Sequence, residues 1–127
     1  MGTLKKYLNL LVIIISLITI LSGLIQIIMP AFVLDIIGAE TSPISSHLFA
    51  IVGMFMALFG GLMLHTVYSA HTSREAVLWC AFQKLGAFAA VSLGVTHGLF
   101  DFIAIGVALF DLFSGILFIY YLKYREE

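Results

Sequence analysis

Two charged residues, Lys84 and Asp111, lie within otherwise apolar stretches of the sequence. On insertion scales an ionised side chain at the centre of a transmembrane helix costs about 2.5–3.5 kcal/mol, so such residues need a partner. Both positions are nearly equidistant along the chain from a tight turn expected at His97–Gly98. Antiparallel helices joined by a tight turn bring equidistant positions to the same depth. The sequence therefore predicts a Lys84–Asp111 ion pair inside a helical hairpin, with Gln83 nearby.

This pair has two interpretations at the level of sequence. In the first, it locks the hairpin, because removing one partner of a buried ion pair leaves an uncompensated charge. In the second, it is a proton or ion relay, or a polar floor for a bound head group or quinone. The two interpretations stay open at this point.

The histidines are divided between the two ends of the expected helices. His47 and His97 lie at the outer ends, but no spacing such as H-x-x-x-H supports a metal site, and a haem between them requires the second and fourth spans to be neighbours. At the opposite edge, His65, Arg74 and Trp79 form a candidate pocket for an anionic lipid head group. The alternative for all five residues is that they bind nothing and are amphipathic residues at the edge of the membrane.

No catalytic constellation is visible in the sequence. Cys80 is the single cysteine, so an intramolecular disulfide and thiol–disulfide exchange within the chain are excluded, and we expect a buried structural thiol. There is no visible nucleophile–base pair. We therefore expect a protein that is not an enzyme and has no cofactor of its own, while a quinone, haem or pigment held in a host complex stays open.

The composition defines the elements that must position these residues. Hydrophobic residues make up 62% of the 127-residue chain and charged residues 10%, whereas soluble domains are about 45–50% apolar and about 25% charged. The formal net charge of −1 gives no indication of nucleic-acid binding. A transmembrane helix needs about 20 apolar residues, and such runs occur at about 8–29, 48–68, 76–96 and 99–122.

These runs predict an all-α fold, a single domain over 1–127 that forms an integral membrane antiparallel four-helix bundle, because only helices and closed barrels satisfy the backbone in lipid. The first run is too long for a signal-peptide core of about 7–15 residues, so we expect it to be retained as a span. Residues 30–47 form the outer interfacial loop. Within it Phe32–Ile37 predicts a short interfacial helix or re-entrant turn, with extra turns of the first helix as the alternative. Ser42 is expected to cap the second span, with Pro43 in its first turn.

The basic residues predict the orientation of the bundle. Those that lie outside the spans all fall on one side, namely Lys5, Lys6, Arg74, Lys123 and Arg125. The positive-inside rule then places both termini in the cytoplasm, in a multi-pass protein of the cell inner membrane. Trp79 and the tyrosines map to the same edge, as one side of an aromatic belt.

Small and polar residues predict how the helices pack. Close approach of membrane helices depends on small residues at three- and four-residue steps. The second span has Gly53, Ala57 and Gly61, with Gly60 beside them, and the fourth has Ala104, Ala108 and Gly115. The first span has a polar stripe that we expect to form hydrogen bonds across helices, made of Asn9, Ser16, Thr19, Gly23 and Gln26.

Several of these features resemble the small DoxX-like membrane proteins of bacteria. The matching residues are Gly60–Gly61 in the second span, the basic Arg74 after it, Lys84–Leu85–Gly86 in the third span and Asp111–Leu112 in the fourth. The resemblance implies a four-helix bundle that often acts as a helper subunit in quinone-linked redox complexes. It implies no catalytic residue for this chain.

Three functions follow as hypotheses. The first is a non-catalytic accessory or structural subunit that packs against a larger membrane complex or against itself, with the lipid bilayer and other membrane subunits or further copies as partners and no nucleic acid. The second is a small-solute or proton-linked transporter or channel that uses the Lys84–Asp111 pair. The third is a quinone- or lipid-linked membrane enzyme, for which the sequence shows the least support.

Overall fold

The computed structural model describes residues 2–126, and within that range it contains five helices and no strand. These are α1 (Gly2–Ile28), α2 (Pro30–Ile36), α3 (Pro43–Tyr68), α4 (Arg74–Thr96) and α5 (Ala104–Glu126). The all-α prediction is confirmed over the described residues. Four of the helices, α1, α3, α4 and α5, are long and apolar enough to cross a membrane. The chain thus has the build of a multi-pass membrane protein.

The segment after α1 forms a separate short helix. Met29 leaves the helical conformation, with φ −131° and ψ 59°, and Pro30 begins α2. Proline cannot continue a helix, because it lacks an N–H group and its ring clashes with the preceding turn. The alternative of extra turns of α1 is therefore wrong, and the short-helix prediction is correct in outline. Leu34 of α2 is buried and attaches this helix to the bundle.

The start of α3 is as the sequence predicts. The Ser42 side chain accepts a hydrogen bond from the Ser45 backbone N–H at 3.0 Å, and the Ser45 hydroxyl accepts one from the Ser42 N–H at 2.8 Å. Pro43 follows as the first helical residue. This reciprocal arrangement is a capping box, which satisfies backbone donors that the helix itself leaves unpaired.

The connection between α4 and α5 is longer than expected. The predicted tight turn has Gly98 at φ +73°, but α5 begins only at Ala104, not near residue 99. The intervening segment is held by other contacts, since the Asp101 N–H donates to the Ile37 carbonyl at 2.7 Å. The Phe100 ring packs on Gly94, where a Cβ would collide with it. These contacts shorten the fourth predicted span at its start.

The four long helices form a ring in the order α1, α3, α4, α5. The hairpins α1–α3 and α4–α5 are closely packed, the two hairpins contact each other less closely, and in the described residues the diagonal pairs α1–α4 and α3–α5 have no backbone contact. One end of the bundle carries the exposed Lys5, Lys6, Arg74, Lys123 and Arg125 and is called the basic end. The other is called the α2 end.

Glycines set the close approach of α1 and α3. A Cβ on Gly23 would lie 2.5 Å from the Gly53 carbonyl oxygen, and one on Gly60 would lie 2.8 Å from the Ile20 side chain. Gly61, which the sequence analysis placed in this ridge, faces open space and does not pack. Each residue turns an α-helix by about 100°, so Gly60, about two turns after Gly53, returns to its face and Gly61 does not.

The second hairpin uses the predicted small residues. Ala104 and Ala108 are buried, and a Cβ on Gly115 would meet the Leu85 side chain at 2.7 Å and the Ala81 carbonyl oxygen at 3.2 Å. At the basic end, large apolar side chains close the bundle. Tyr121 belongs to this core with 2% exposure, although the sequence analysis placed it in an exposed aromatic belt.

Candidate functional site

The two charged residues within the spans contact each other. Lys84 Nζ lies 3.4 Å from Asp111 Oδ1, and the side chains are 5% and 12% exposed. Lys84 is near the middle of α4, and Asp111 lies on the face of α5 that also carries the buried Ala104 and Ala108. The contact is the one that the hairpin geometry predicts.

Lys84 also crosses the bundle to α1. Its ammonium donates a hydrogen bond to Thr19 Oγ1 at 2.6 Å, shorter than its contact with Asp111. The Thr19 hydroxyl donates in turn to the Ile15 carbonyl at 2.8 Å. Because α1 and α4 are diagonal and have no backbone contact in the described residues, the long lysine side chain bridges the distance between them. One ammonium group therefore links α1, α4 and α5.

An aromatic ring also lies beside the ammonium. Lys84 Nζ lies 5.2 Å from the centroid of the Phe110 ring, within the range of a cation–π contact. Phe110 and Asp111 are adjacent on α5, so one helical turn supplies both the carboxylate and the ring. The charge of Lys84 is thus held by a carboxylate, a hydroxyl and a π face.

A cavity of about 400 Å³ opens between the two hairpins on the α2-end side of this cluster. All five helices contribute to its wall. Val33 represents α2, and Ile37, the residue after α2, also lines the cavity. Most of the lining is apolar. The polar residues that line it are Thr19, Ser22, Gln26, Gln83, Lys84 and Asp111. Thr19, Lys84 and Asp111 form its boundary toward the basic end, so this apolar cavity has a charged floor.

Gln26 fixes one wall of the cavity. Its Nε2 donates to the Phe49 carbonyl at 3.0 Å, which ties α1 to α3 close to the Gly23–Gly53 contact. The polar stripe of α1 therefore behaves only in part as expected. Gln26 and Thr19 form bonds to other helices, whereas Ser16 donates to the Val12 carbonyl of its own helix at 2.8 Å.

Below the floor the bundle is closed. A narrow crevice continues toward the basic end between Met63, Cys80 and Phe118, and it has no volume for a water molecule. Beyond it lies the apolar core that includes Val12, Met63, Val77, Phe118 and Tyr121. The cavity is therefore a dead end in this conformation.

The other candidate residues do not converge. His47 and His97 are both exposed, and His97 caps α4 rather than belonging to α5; α3 and α5, the second and fourth spans, make no backbone contact in the described residues. No group of three or more His, Cys, Asp or Glu side chains suited to a metal ion occurs among residues 2–126. His65, Arg74 and Trp79 are exposed at the basic end, and none of them lines the cavity or the crevice.

Sequence reasoning found the charged pair and missed the rest of the site. Thr19 was assigned to a polar stripe but not to Lys84, and Phe110 was not singled out. The polar stripe of the first span could have indicated the contact of Thr19 with Lys84, since buried polar groups in a bundle take partners on other helices. The described residues that line the cavity include Ser22 but no histidine and no cysteine.

Comparisons of this chain with known protein families, with curated proteins and with solved structures find no match.

Proposed function

We propose that this multi-pass membrane protein binds a hydrophobic ligand that carries an oxygen acceptor, with the ligand body in the cavity and its acceptor at Lys84. The observation that carries the proposal is the cavity of about 400 Å³ that ends on Lys84, Asp111 and Thr19. Small-molecule sites are typically about 300–1,000 Å³, mostly apolar, with a few polar groups that orient the ligand.

The hydrogen-bonding capacity of Lys84 supports this assignment. An ammonium group has three donors, and the contacts to Thr19 and Asp111 account for two of them. The third is available to an acceptor oxygen of a ligand. Since Asp111 already balances the charge, the chemistry favours a neutral acceptor, such as the carbonyl of a quinone or the ester of a lipid.

The cavity itself argues against a purely structural pair. A pair that only locks two helices is best enclosed by tight packing, because water or open space beside it weakens the attraction between the charges. Here the pair borders open volume on one side and close packing on the other. The interpretation of the pair as a polar floor is therefore the better supported of the two.

Binding is better supported than conduction. A channel or transporter needs a path past Lys84 and Asp111 toward the basic end, and the crevice there has no volume for water. The proposed orientation has both termini in the cytoplasm and the protein in the cell inner membrane, from the bias of basic residues. In that orientation the cavity lies in the outer half of the bilayer.

The accessory-subunit hypothesis stays a prediction and fits this proposal. A small bundle that holds a quinone or lipid for a larger complex needs no catalytic residues of its own. The resemblance to DoxX-like helper subunits points the same way, since it implies a quinone-linked partner. Association with other membrane subunits or further copies of the chain is part of this proposal.

The test is to purify the protein from its own membrane in mild detergent and to identify any retained small molecule by native mass spectrometry and solvent extraction. The variant Ala87→Phe places a ring on the cavity wall. Ala89→Phe is the matched control, because Ala89 lies on the same helix, is exposed and does not line the cavity.

We expect the wild type and Ala89→Phe to retain one hydrophobic molecule per chain and Ala87→Phe to lose it. Equal retention by the two variants contradicts the proposal, and so does a wild-type protein that carries nothing when extracted directly from its membrane.

A further inference from the structure

A second cavity, of about 310 Å³, lies at the basic end, where the first turns of α1 meet the last turns of α5. Lys5 and Lys6 of α1 and Arg125 of α5 line it, and all three are exposed. Among the described residues that line this groove, none carries a carboxylate. We call it the basic groove.

The arginine of the groove is held in place on its inner side. Arg125 Nη2 donates to Thr72 Oγ1 at 2.8 Å, and its Cζ lies 6.0 Å from the centroid of the Tyr121 ring. Tyr121 is itself fixed, because it is buried and its hydroxyl donates to Asn9 Oδ1 at 3.3 Å. The guanidinium is therefore oriented before any ligand arrives, which reduces the entropy lost on binding.

The chemistry of the groove matches a phosphate group. Arginine offers several N–H donors in a planar fork, and lysine adds compact positive charge, a combination suited to phosphate oxygens. Basic pockets between membrane helices on the side that carries the positive charges commonly hold anionic lipid head groups. Asn9 and Tyr124 add polar and aromatic surface to the lining.

The groove is distinct from the candidate pocket proposed from the sequence. That pocket combined His65, Arg74 and Trp79, and none of the three lines the basic groove. The difference arises because α1 and α5 are neighbours in the ring, which brings the first turns of α1 and the last turns of α5 together. We propose that the basic groove binds a phosphate-bearing anion, with Lys5, Lys6 and Arg125 as its ligands. Two sources supply this chemistry, namely the head group of an anionic lipid and free phosphate.

The experiment compares lipid and free phosphate on the full-length protein. In the lipid arm, the protein is placed in phosphatidylcholine nanodiscs with increasing phosphatidylglycerol, and retained phosphatidylglycerol is counted by native mass spectrometry. In the other arm, inorganic phosphate is titrated by calorimetry into protein in lipid-free detergent. The groove variants are Lys5→Gln and Arg125→Gln, and Lys5→Arg keeps the positive charge at its position.

Lys123→Gln is the matched control. It removes one positive charge from the last turns of α5, and Lys123 is exposed but does not line the groove. We expect Lys5→Gln and Arg125→Gln each to bind the anion about tenfold more weakly, which corresponds to the loss of one hydrogen bond to a charged group. Lys5→Arg should stay within about twofold of wild type, and Lys123→Gln should lose clearly less than the groove variants, because it removes only a screened attraction to the anion.

The outcomes separate the alternatives. A loss confined to the groove variants supports the site. It assigns a lipid source if only phosphatidylglycerol is affected, and a soluble source if inorganic phosphate binds with the same pattern. An equal loss in Lys123→Gln overturns the proposal, since net charge alone then explains the binding, and so does the absence of any loss. Thermal unfolding of each variant confirms that a loss of binding is not a loss of fold.

Discussion

Lys84 contacts partners on two other helices through a single ammonium group. It donates to Thr19 on α1 and to Asp111 on α5, and it lies near the Phe110 ring. Removing Lys84 leaves the Asp111 carboxylate buried without its counter-charge. Removing both charges together avoids that penalty, because the cost of a broken ion pair comes mainly from the charge that remains. A comparison of the variant that lacks Lys84 with the variant that lacks both charges therefore separates the electrostatic role of the pair from its role in packing.

We expect Lys84→Met to lower the free energy of unfolding by about 3–5 kcal/mol, the range for removal of one partner of a buried pair. The double variant Lys84→Met with Asp111→Asn should recover part of this loss. Unfolding by denaturing detergent, followed by circular dichroism, measures both. Gln83→Met is the control, because Gln83 lies beside Lys84 without taking part in the ion pair. A double variant no more stable than the single one contradicts a stabilising pair.

Thr19 gives a second prediction at this scale. Thr19→Val keeps the shape of the side chain and removes the acceptor of the 2.6 Å hydrogen bond from Lys84. Hydrogen bonds to charged groups contribute about 1.5–3 kcal/mol, so we expect a loss of stability in that range. Ser16→Ala is the matched control on α1, since its hydroxyl bonds only to its own helix at 2.8 Å. If the two variants are equally stable, Thr19 does not anchor Lys84.

The spacing of α1 and α3 depends on glycines, which have no Cβ. At Gly23 a Cβ would meet backbone atoms of α3, the Gly53 carbonyl oxygen at 2.5 Å and the Ala57 nitrogen at 2.8 Å. Backbone cannot move aside as a flexible side chain can, so α1 and α3 would have to separate. The two helices also form one wall of the cavity, through Gln26 and Phe49. Helix spacing and cavity shape are therefore coupled.

Gly23→Ala should destabilise the protein by about 1–3 kcal/mol, as expected for overpacking. Gly61→Ala should be neutral or slightly stabilising, because its Cβ meets nothing within 4 Å and alanine favours the helix by about 1 kcal/mol. Thermal unfolding in detergent compares the two. If Gly61→Ala is the more destabilising of the two, Gly61 and not Gly23 lies in the contact between α1 and α3.

The molecule as a whole consists of two tight hairpins joined across a cavity, with the exposed basic residues at one end. If both termini are cytoplasmic, the connections at the α2 end face outward. Single cysteines introduced in a Cys80→Ala background report this directly, since Cys80 is 1% exposed and its removal leaves no other thiol. Glu40→Cys and His97→Cys should react with a membrane-impermeant maleimide on intact cells. Thr3→Cys and His71→Cys should react only after permeabilisation, and the opposite pattern contradicts the proposed orientation.

Association is the second property of the whole molecule that can be measured. We expect the protein, extracted from its own membrane in mild detergent, to travel with unrelated membrane subunits in native mass spectrometry. Its exposed apolar faces suit such contacts as well as lipid. A homo-oligomer without other subunits would support packing of the chain against itself and contradict a role in a larger complex, and the Lys84–Asp111 pair would then be tested for transport in proteoliposomes.

Local properties of the chain were determined by the sequence alone. Four apolar runs of membrane-spanning length predict α1, α3, α4 and α5, because the transfer of apolar side chains and the need to satisfy the backbone depend on composition over about 20 residues. The Ser42 cap follows from the hydrogen-bonding capacity of the serine side chain, whereas the sequence alone leaves the conformation after Met29 open between two alternatives. The Lys84–Asp111 contact could be predicted because two positions equally far along the chain from the turn of a hairpin lie at the same depth.

Only the tertiary structure decided which helices are neighbours and which atoms they bring together. The cavity, the contact of Lys84 with Thr19, the burial of Tyr121 and the basic groove all depend on the rotation and separation of helices far apart in sequence. In the structure Gly60, and not the neighbouring Gly61, packs against α1. A shift of one residue is enough to move a side chain out of the contact, since one residue turns a helix by about 100°. Such rotations are set by the packing of the whole bundle at once, and no local pattern in the chain contains them.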